Sequence, residues 1–301
     1  MAEAQLQQDT QADSSVETRS RSKDFRKAFF SNRLAIFGTV IMAIFIIMAV
    51  FAPLVAPYDP LDQNLPEKFD GPSLAHPFGQ DELGRDILSR VIYGARISLT
   101  AGLAAVALAT AAGTLIGVVA GYFSSYTDSG LMRLMDVILA FPSILLAIII
   151  ISVLGPGLAN AMLAIGIVFI PQIARVVRSA VISVRERDYI EAERALGASN
   201  SQIIFSGVLP NCMAPLIVQA TLTLATAILD VAALSFLGLG ARAPTPEWGA
   251  MLTDAFRSGF GVFVEGQHAI IFPGIAIALA VLSVNFIGDG LRDALDPRRR
   301  G

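Results

Sequence analysis

Cysteine and histidine are nearly missing from this chain of 301 residues. The single cysteine, Cys212, excludes an internal disulfide framework and a cysteine-rich metal site. The two histidines, His76 and His268, lie far apart, and neither belongs to a cluster with the spacing of metal ligands. The sequence therefore predicts no metal site in this chain.

Lysine is also scarce, and its positions exclude the commonest kind of ATP-hydrolysing site. A P-loop places glycines ahead of a lysine, so that backbone amides and an ammonium group hold the phosphates. None of the three lysines follows a glycine; they are Lys23, Lys27 and Lys68. The Gly-x-Ser-x-Gly, His-Glu-x-x-His and Cys-x-x-Cys motifs are missing as well. We therefore predict no catalytic residue, and any energy-requiring process must draw on a partner or an ion gradient.

Charged residues make up only 16% of the chain, whereas hydrophobic residues make up 54%. The mean hydropathy is +0.63, which is higher than the surface of a soluble globular protein usually tolerates. This composition predicts a membrane protein with several spans, whose surroundings are a lipid bilayer. We predict no nucleic-acid partner.

Six segments are apolar over the roughly 20 residues that are needed to cross about 30 Å of hydrocarbon. With the N terminus inside, 16 of the 22 Lys and Arg residues fall in the inner segments, so the positive-inside rule predicts that both termini are cytoplasmic. Loops 57–96 and 238–267 are then external and loop 181–211 is cytoplasmic. The sequence thus predicts an all-α protein with six transmembrane helices, at residues 34–56, 97–121, 131–154, 159–180, 212–237 and 268–289.

The chain before the first span is polar and then basic. Residues 1–18 carry too little apolar surface to order and are predicted to be disordered, whereas the basic and aromatic residues 19–33 predict a short helix on the cytoplasmic leaflet. No pair of interrupted spans indicates the inverted repeats of secondary transporters. We divide the chain into a disordered and basic cytoplasmic segment, the first transmembrane helix with its external loop, and a five-helix transmembrane domain, at residues 1–30, 31–96 and 97–298.

Small residues and prolines mark particular positions within the spans. Four small residues repeat at intervals of four on one face of the second span, which predicts close helix packing in lipid: Ala109, Gly113, Gly117 and Gly121. Pro142 and Pro171 lie inside the third and fourth spans, and each predicts a kink because proline lacks the N–H group that a helix requires.

The stretch DYIEAERALGASNSQIIFSGVLPN, residues 188–211, interrupts the apolar sequence with charges and turn residues. Residues 189–196 alternate charged and apolar side chains in the manner of a short amphipathic helix, which Gly197 can end as a left-handed cap.

A second short helix is predicted after this glycine. Ser199 and Gln202 have the spacing of a capping box ahead of an apolar run, and Pro210 is predicted to stop this helix where the fifth span begins. Two short helices held in this way suit docking into a groove on a partner. The alternative is a solvated connector whose charges only face water.

This loop resembles the EAA loop of the membrane subunits of bacterial ABC importers in the placing of five residues: Glu191, Ala192, Gly197, Leu209 and Pro210. Two residues depart from the motif, because Glu193 stands where it usually has a second alanine and Gly207 where it usually has isoleucine. The resemblance implies that the loop forms coupling helices on the ATP-binding subunits. The residues that it assigns to ATPase coupling are Glu191, Ala192, Arg194, Ala195, Gly197, Ser199 and Pro210.

Other stretches narrow the resemblance. HPFGQDELGRDILSRVIYGARISL (76–99), SFLGLGARAPTPEWGAML (235–252) and NFIGDGLRDALDPR (285–298) look like signature regions of the dipeptide, oligopeptide and nickel permease family. LPNCMAPLIVQA (209–220) and AILDVAALSFLG (227–238) look like the C-type subunit of dipeptide permeases. The resemblance implies a permease for dipeptides or short oligopeptides, with glutathione or a nickel or other metal chelate as the alternative cargo.

The resemblance also implies an assembly. It predicts the type I ABC importer permease fold, placed in the bacterial cytoplasmic (inner) membrane. The implied partners are a second, homologous permease subunit, two ATP-binding subunits and an extracytoplasmic solute-binding protein. This chain would bind no cofactor, because ATP and Mg would lie on the partner subunits. It is therefore predicted to be a non-catalytic transport subunit.

The external loops hold candidate contacts for the binding protein. Residues 85–92 have apolar and charged faces, which predicts a segment lying along the membrane surface, and Trp248 is placed to anchor at the outer interface. The same loops could receive the solute-binding protein, and the candidate docking residues are Arg85, Asp86, Glu247 and Trp248.

Ionisable and polar groups within spans are candidates for the translocation pathway, because a charge there usually faces a cavity or a partner. Asp230 is the foremost of these, since its carboxylate could guide the ammonium group of a peptide. Asp136 and Asn285 lie nearer the predicted cytoplasmic ends. The alternative for all three is a structural contact within the bundle.

Two other classes of protein are weighed against an ABC importer subunit. A channel or ion-coupled transporter would need no ATPase partner, and its cytoplasmic loop would have no docking role. An intramembrane enzyme would need a matched pair of catalytic groups in the spans, and the sequence offers none.

Overall fold

A computed structural model describes residues 21–123, 125–259 and 266–295. Within these ranges the regular structure is helical, apart from one isolated antiparallel bridge between Gln80 and Asp86. A 3-10 turn lies at Leu65–Glu67 and a π-helical turn at Ile203–Val208. The α-helices are α1 Arg21–Ser31, α2 Arg33–Val50, α3 Ala52–Val55, α4 Ile87–Tyr122, α5 Ser125–Leu139, α6 Ser143–Leu154, α7 Leu158–Arg185, α8 Asp188–Ala195, α9 Asn200–Gln202, α10 Leu209–Phe236, α11 Trp248–Arg257 and α12 His268–Leu295.

Five helical stretches in the described residues are long and apolar enough to cross a membrane: α2, α4, α7, the stretch Asn200–Phe236 that contains α10, and α12. A sixth span results if α5 and α6, which meet at a bend of 92°, are taken as one unit. The all-α prediction is therefore confirmed, and the predicted spans correspond to these units in order. Several boundaries differ from the prediction. Helix α2 ends at Val50 rather than residue 56 and α4 begins at Ile87 rather than residue 97, while α5, α7 and α12 extend five or six residues beyond the predicted bounds at one end each.

The first helices pack against the last one. Asn32 separates α1 from α2 by capping α2, since its Oδ1 atom accepts hydrogen bonds from the backbone N–H groups of Leu34 at 3.0 Å and Ala35 at 3.2 Å. Phe29 of α1 is buried against α12, where a Cβ atom on Gly290 would stand only 3.0 Å from its ring. The predicted helix at residues 19–33 thus exists as α1. The predicted disorder falls on residues 1–18, which lie outside the described residues.

Helices α4 and α7 run in parallel and form the closest packing in the core. A Cβ atom on Gly117 would stand 2.6 Å from the carbonyl oxygen of Ala174, and one on Gly121 would stand 2.8 Å from Val181 Cβ. The stripe of small residues therefore lets two backbones approach to a distance that no larger residue permits. The predicted packing role of this stripe is confirmed.

The two prolines within spans have different outcomes. Pro142 lies directly before α6, and the chain breaks there instead of bending gently, because α5 ends at Leu139 and α6 leaves at 92° to it. Pro171 lies inside α7, which continues as one helix from Leu158 to Arg185. A sequence with two similar prolines thus gives one break and one uninterrupted span.

The bundle has two ends, which are named here after the short helix at each. The α8 end carries α8 and the C termini of α4, α7 and α12. The α11 end carries α11, the segment 57–86 and the N termini of α4 and α12. His268, at the N terminus of α12, is joined to the segment 57–86 by a hydrogen bond between its Nε2 atom and the Gln80 carbonyl oxygen at 2.9 Å. The positive-inside prediction makes the α8 end cytoplasmic.

Candidate functional site

Helix α8 begins and ends as its sequence predicts. Asp188 and Glu191 stand in its first turn, where acidic groups favour the helix dipole. Its end is a Schellman motif, because the Ala198 N–H donates to the Glu193 carbonyl and the Gly197 N–H to that of Arg194, both at 3.1 Å. Gly197 has φ +84°, the left-handed conformation that the motif requires. The predicted glycine cap is confirmed.

The second predicted helix starts where the capping box places it. The Ser199 hydroxyl oxygen accepts a hydrogen bond from the Gln202 N–H at 3.3 Å. The predicted stop at Pro210 is wrong, because the helical path continues from Asn200 to Phe236. A π-helical turn precedes this proline, and there the Leu209 N–H donates to the Ile204 carbonyl five residues back. The wider turn accommodates a proline that cannot donate in a regular helix.

The outward face of this unit is open to solvent. All seven predicted coupling residues are exposed, and two apolar side chains beside them, Leu196 and Phe205, are 87% and 71% exposed. Ile190, on the opposite face of α8, is fully buried in the main core. The unit is thus anchored on one side and offers a mixed apolar and charged surface on the other, as a docking element requires.

The two residues that depart from the EAA motif meet each other in the structure. A Cβ atom on Gly207 would stand 2.7 Å from Ile190 Cδ1 and 3.2 Å from Glu193 Oε2. The missing side chain of Gly207 therefore makes room for Ile190 and Glu193, so that α8 lies close against the π-helical turn. The spacing of the two residues in the sequence did not predict this contact, and the only available signal was that both depart from the same motif.

The carbonyl oxygen of Gly207 accepts two hydrogen bonds that hold this unit together. It accepts a hydrogen bond from Asn211 Nδ2 at 2.7 Å and a longer one from the Tyr189 hydroxyl at 3.4 Å. Nearby, the Tyr122 hydroxyl bonds to Asn200 Oδ1 at 3.0 Å, and Arg185 donates to the Gly121 carbonyl at 3.0 Å. The loop is thereby fixed to the ends of α4, α7 and α10.

The α11 end also concentrates charge, but there the charged side chains are buried or half-buried. Arg85 Nε pairs with Asp81 Oδ2 at 2.7 Å and its Nη2 atom pairs with Glu82, while Arg90 Nε lies 3.3 Å from Asp81 Oδ2. Asp254 of α11 lies 3.8 Å from both guanidinium groups. These residues form the α11-end cluster: Asp81, Glu82, Arg85, Arg90 and Asp254.

Burial changes the protonation of this cluster. It raises the pKa of Glu82, and the neighbouring Asp81 carboxylate acts in the same direction. Burial also raises the pKa of Asp254, against the opposing effect of the two arginines. Glu82 and Asp254 therefore hold protons more readily than solvent-exposed carboxyl groups do.

The prediction that Arg85 and Asp86 face a docking protein is wrong in its placement of these side chains. Both are buried, and Asp86 caps α4 by accepting from the Ser89 N–H at 2.7 Å while its other oxygen lies 2.9 Å from His76 Nδ1. Residues 87–92 are the first turns of α4 rather than a segment lying along the membrane surface. Apolarity alone would place these arginines in solvent. Their ion pairs with buried carboxylates allow them to lie inside the protein at the start of α4.

Glu247 and Trp248 were likewise predicted to lie at the surface, and both are fully buried. The Trp248 indole N–H donates to the Val91 carbonyl at 3.0 Å, so the ring packs inside the protein rather than at the membrane interface. Glu247 caps α11 by accepting from the N–H groups of Gly249 and Ala250, at 3.0 and 2.9 Å, and also from the Ser98 hydroxyl. Burial raises the pKa of Glu247, whereas these hydrogen bonds oppose the shift.

The three predicted pathway residues are not brought together. Asp230 is buried, and its Oδ2 atom has no hydrogen-bond partner among the described residues. Asp136 is exposed and pairs with Arg175 of α7. Asn285 is half-buried on α12. Within the described parts of the chain, no hydrogen bond or ion pair joins any two of them.

Comparisons with known families agree with this geometry. Residues 113–301 match the family described as binding-protein-dependent transport system inner membrane component, and residues 20–77 match the N-terminal TM domain of oligopeptide transport permease C. The solved MetNI methionine ABC transporter, in an inward-facing form, contains a chain that superposes with a TM-score of 0.55 and 21% identity, over 70% of this chain and 98% of that one. This likeness shows the fold of a type I ABC importer permease.

Several curated proteins are similar along almost the whole chain. The dipeptide transport system permease protein DppC of Alkalihalophilus pseudofirmus is 50% identical, over 91% of this chain and 89% of its own length. The di/tripeptide transport system permease protein DppC of Pseudomonas aeruginosa is 47% identical, over 95% of each chain. The glutathione transport system permease protein GsiD of Escherichia coli is 44% identical, over 92% of this chain and 91% of its own.

Proposed function

The chain belongs to the family of binding-protein-dependent transport system inner membrane components, and we propose that its cargo is a dipeptide or short oligopeptide. It is a membrane-spanning permease subunit of an ABC importer, and its role is transport rather than catalysis. The proposed cargo is supported by 50% identity to the permease of a dipeptide system and 47% identity to that of a di/tripeptide system. Glutathione is the second candidate, on the strength of 44% identity to a glutathione permease.

We further propose the partners that such a subunit needs. They are a second, homologous permease chain, two ATP-binding subunits that hold ATP and Mg, and an extracytoplasmic solute-binding protein. The chain offers no P-loop of its own, so the driving energy has to arrive through a contact surface. The exposed face of α8 is the surface that we assign to the ATP-binding subunits.

One observation carries this assignment: one face of α8 is exposed, and the opposite face is packed against the rest of the protein. Ile190 is buried in the core, while Tyr189 bonds to the Gly207 carbonyl at the start of the fifth span. Closure of the ATP-binding subunits on binding ATP would push α8, and this push would reach α10 directly. The pathway would then alternate its access between the two ends.

Substitutions at Ala192 and Gly197 test this role. Ala192→Arg places a bulky charge on the docking face and should abolish ATP-driven dipeptide uptake, whereas Ala192→Ser keeps a small side chain and should retain it. Gly197→Ala forces a left-handed φ on a residue with a Cβ atom, at about 1 to 2 kcal/mol, and should also impair uptake. Uptake of a radiolabelled dipeptide is compared with the amount of protein inserted in the membrane, which should not change. Normal uptake by Ala192→Arg would refute the coupling role.

Affinity purification tests the partner assignment against a channel or ion-coupled transporter. Only an ABC subunit requires stoichiometric ATP-binding subunits to purify with it. Binding assays on the solute-binding protein, with dipeptides, glutathione and nickel chelates as ligands, then decide the cargo. Preference for glutathione over dipeptides would replace the first candidate by the second.

Asp230 is our proposed pathway residue for the ammonium group of the peptide. Its support is the unpartnered Oδ2 atom of a buried carboxylate, which costs free energy unless a cation or donor approaches it. Asp136 and Asn285 stay as weaker proposals, since Asp136 already has Arg175 as its partner.

A further inference from the structure

A cavity of about 610 Å³ lies at the α8 end, between α7, α10 and α12. Its volume falls in the range of small-molecule sites, which is about 300 to 1,000 Å³. The lining follows α10 from Asn211 to Leu222, a length of about 17 Å at the rise of an α-helix. An extended dipeptide backbone is about 7 Å long and therefore fits within it. The lining residues are Val176, Asn211, Ala214, Pro215, Val218, Gln219, Leu222, Arg292 and Leu295.

The lining of the cavity extends to Leu222 on α10. There α10 and α12 meet, and a Cβ atom on Gly288 would stand 3.1 Å from Leu222 Cδ2. Nearer the α8 end, Pro215 interrupts the hydrogen bonding of α10, because it has no N–H group to donate to the Asn211 carbonyl one turn earlier. The wall of the cavity therefore includes a backbone acceptor that the helix itself leaves without its usual donor.

The polar groups of the cavity are of two kinds. Arg292, in the last turn of α12, is exposed and offers a guanidinium group that binds carboxylates in a planar, two-pronged geometry. Gln219 and the carbonyl of Asn211 offer oxygen acceptors, since the Gln219 amide nitrogen is engaged with Thr223 at 3.3 Å. Between them the wall is apolar, with Ala214 and Val218 on α10.

The cavity is also tied to the coupling unit. Asn211 lines the cavity, and its Nδ2 atom donates to the Gly207 carbonyl at 2.7 Å, the same oxygen that accepts from Tyr189 of α8. A displacement of α8 would therefore move a wall of the cavity through one shared acceptor. This position suits a binding site whose shape must change when the ATP-binding subunits bind ATP and close.

We propose that this cavity is a binding site for the transported peptide, in which Arg292 holds the peptide carboxylate while Asn211 and Gln219 accept from its N–H groups. The proposal rests on the proposed function, since it takes the cargo to be a short peptide. It adds a site within this subunit that recognises the zwitterionic backbone common to all such peptides, whatever their side chains.

Cysteine labelling in the purified importer complex tests the proposal. Val218→Cys places a thiol in the cavity wall, and Ile217→Cys places one on the neighbouring, exposed residue that does not line the cavity. Cys212 is fully buried, so the unsubstituted complex serves as the blank. The reagents are anionic sulfonatoethyl methanethiosulfonate and neutral methyl methanethiosulfonate. The protecting probes are alanyl-phenylalanine and its C-terminal amide.

We expect alanyl-phenylalanine to slow the labelling of Val218→Cys and its amide to have little effect. Adding Arg292→Gln should remove this protection and lower the ratio of anionic to neutral labelling rates about tenfold, because a local positive charge concentrates anions. Arg292→Lys should restore the charge preference. Ile217→Cys should show neither effect.

The proposal is overturned by any of the following outcomes. Equal protection by the peptide and its amide would remove the carboxylate role, and protection of Ile217→Cys would show an indirect effect. Protection by phosphatidylglycerol in place of the peptide would assign the cavity to an anionic lipid headgroup. Dipeptide uptake is measured with the same unsubstituted complex: uptake without protection refutes this site alone, whereas no dipeptide uptake refutes the proposed function and the site together.

Discussion

The two ends of the bundle use charge in opposite ways. At the α11 end, Arg85 and Arg90 are each only 1% exposed and are paired with carboxylates inside the protein. At the α8 end, Glu191 and Arg194 point outward and no described hydrogen bond or ion pair holds either side chain. In the sequence, both ends correspond to charged stretches with turn residues that interrupt the apolar segments. The first holds the subunit together, whereas the second is left free for a partner.

The difference shows what the two ends can do. Charges that are already paired and buried gain nothing from a partner and fix the geometry of their surroundings. Charges that stay in solvent can form new contacts at little cost to the fold. Motion imposed at the α8 end can therefore be transmitted through a bundle whose other end is rigidly assembled.

The largest effect is expected from breaking the α11-end cluster. Arg85→Ala removes the guanidinium group that pairs with Asp81 and Glu82, and it leaves the buried Asp81 carboxylate with Arg90 alone, which should cost about 3 to 5 kcal/mol of folding free energy. Thermal unfolding of the detergent-solubilised protein measures the loss. The matched control is Arg187→Ala at the α8 end, an exposed arginine whose removal should change stability by less than about 0.5 kcal/mol. Similar losses for the two variants would contradict the comparison.

An intermediate effect is expected where α8 meets the π-helical turn. Gly207→Ile restores the residue usual in the EAA motif, but it overpacks the contact with Ile190 and should cost about 1 to 3 kcal/mol. Glu193→Ala, which restores the other usual residue, makes room beside it.

The double variant tests whether these two residues compensate each other. Gly207→Ile with Glu193→Ala should recover part of the loss in both stability and uptake, so that a double-mutant cycle gives a coupling of about 0.5 kcal/mol or more. Strictly additive effects would mean that the two departures from the motif are independent.

The smallest effect is expected from pH. Because the pKa values of Glu82 and Asp254 are raised in the folded state, the folded state binds protons more tightly than the unfolded state. Their contribution to stability is fully present below the ordinary carboxyl values of 4.5 and 3.8, and it is lost as pH rises through the raised values.

Hydrogen exchange at the start of α4 measures this effect. Protection there should increase as pH is lowered from 7 towards 5, after correction for the intrinsic exchange rate. Glu82→Gln should flatten this dependence, since the amide cannot ionise. Greater protection at neutral pH in the unsubstituted protein would contradict the direction of these shifts.

Much of the α8 end could be predicted because its signals are local. Gly197 and Ser199 act on hydrogen bonds within a few residues, so their spacing in the sequence already specifies the two caps. The π-helical turn before Pro210 could not be predicted in this way, because it depends on how α8 packs against Gly207. The glycine stripe of α4 was predicted as a packing face, but its partner, α7, was not.

The α11 end was mispredicted because its partners are distant in sequence. Trp248 bonds to a carbonyl 157 residues away, and Glu247 accepts from Ser98, 149 residues away. An arginine or tryptophan beside a span usually marks the membrane interface, and only its contacts reveal that it is buried.

The sequence by itself determined the helical class, the order of the spans, the absence of a P-loop and the caps of the coupling loop. These follow from composition, apolar length and spacings of a few residues, which act before the chain is packed. The tertiary structure decided which charges are buried, where Gly207 and Glu193 meet, and that Asn211, Gln219 and Arg292 share one cavity. Those features depend on contacts between helices, and the helices are brought together only when the whole bundle buries its surface.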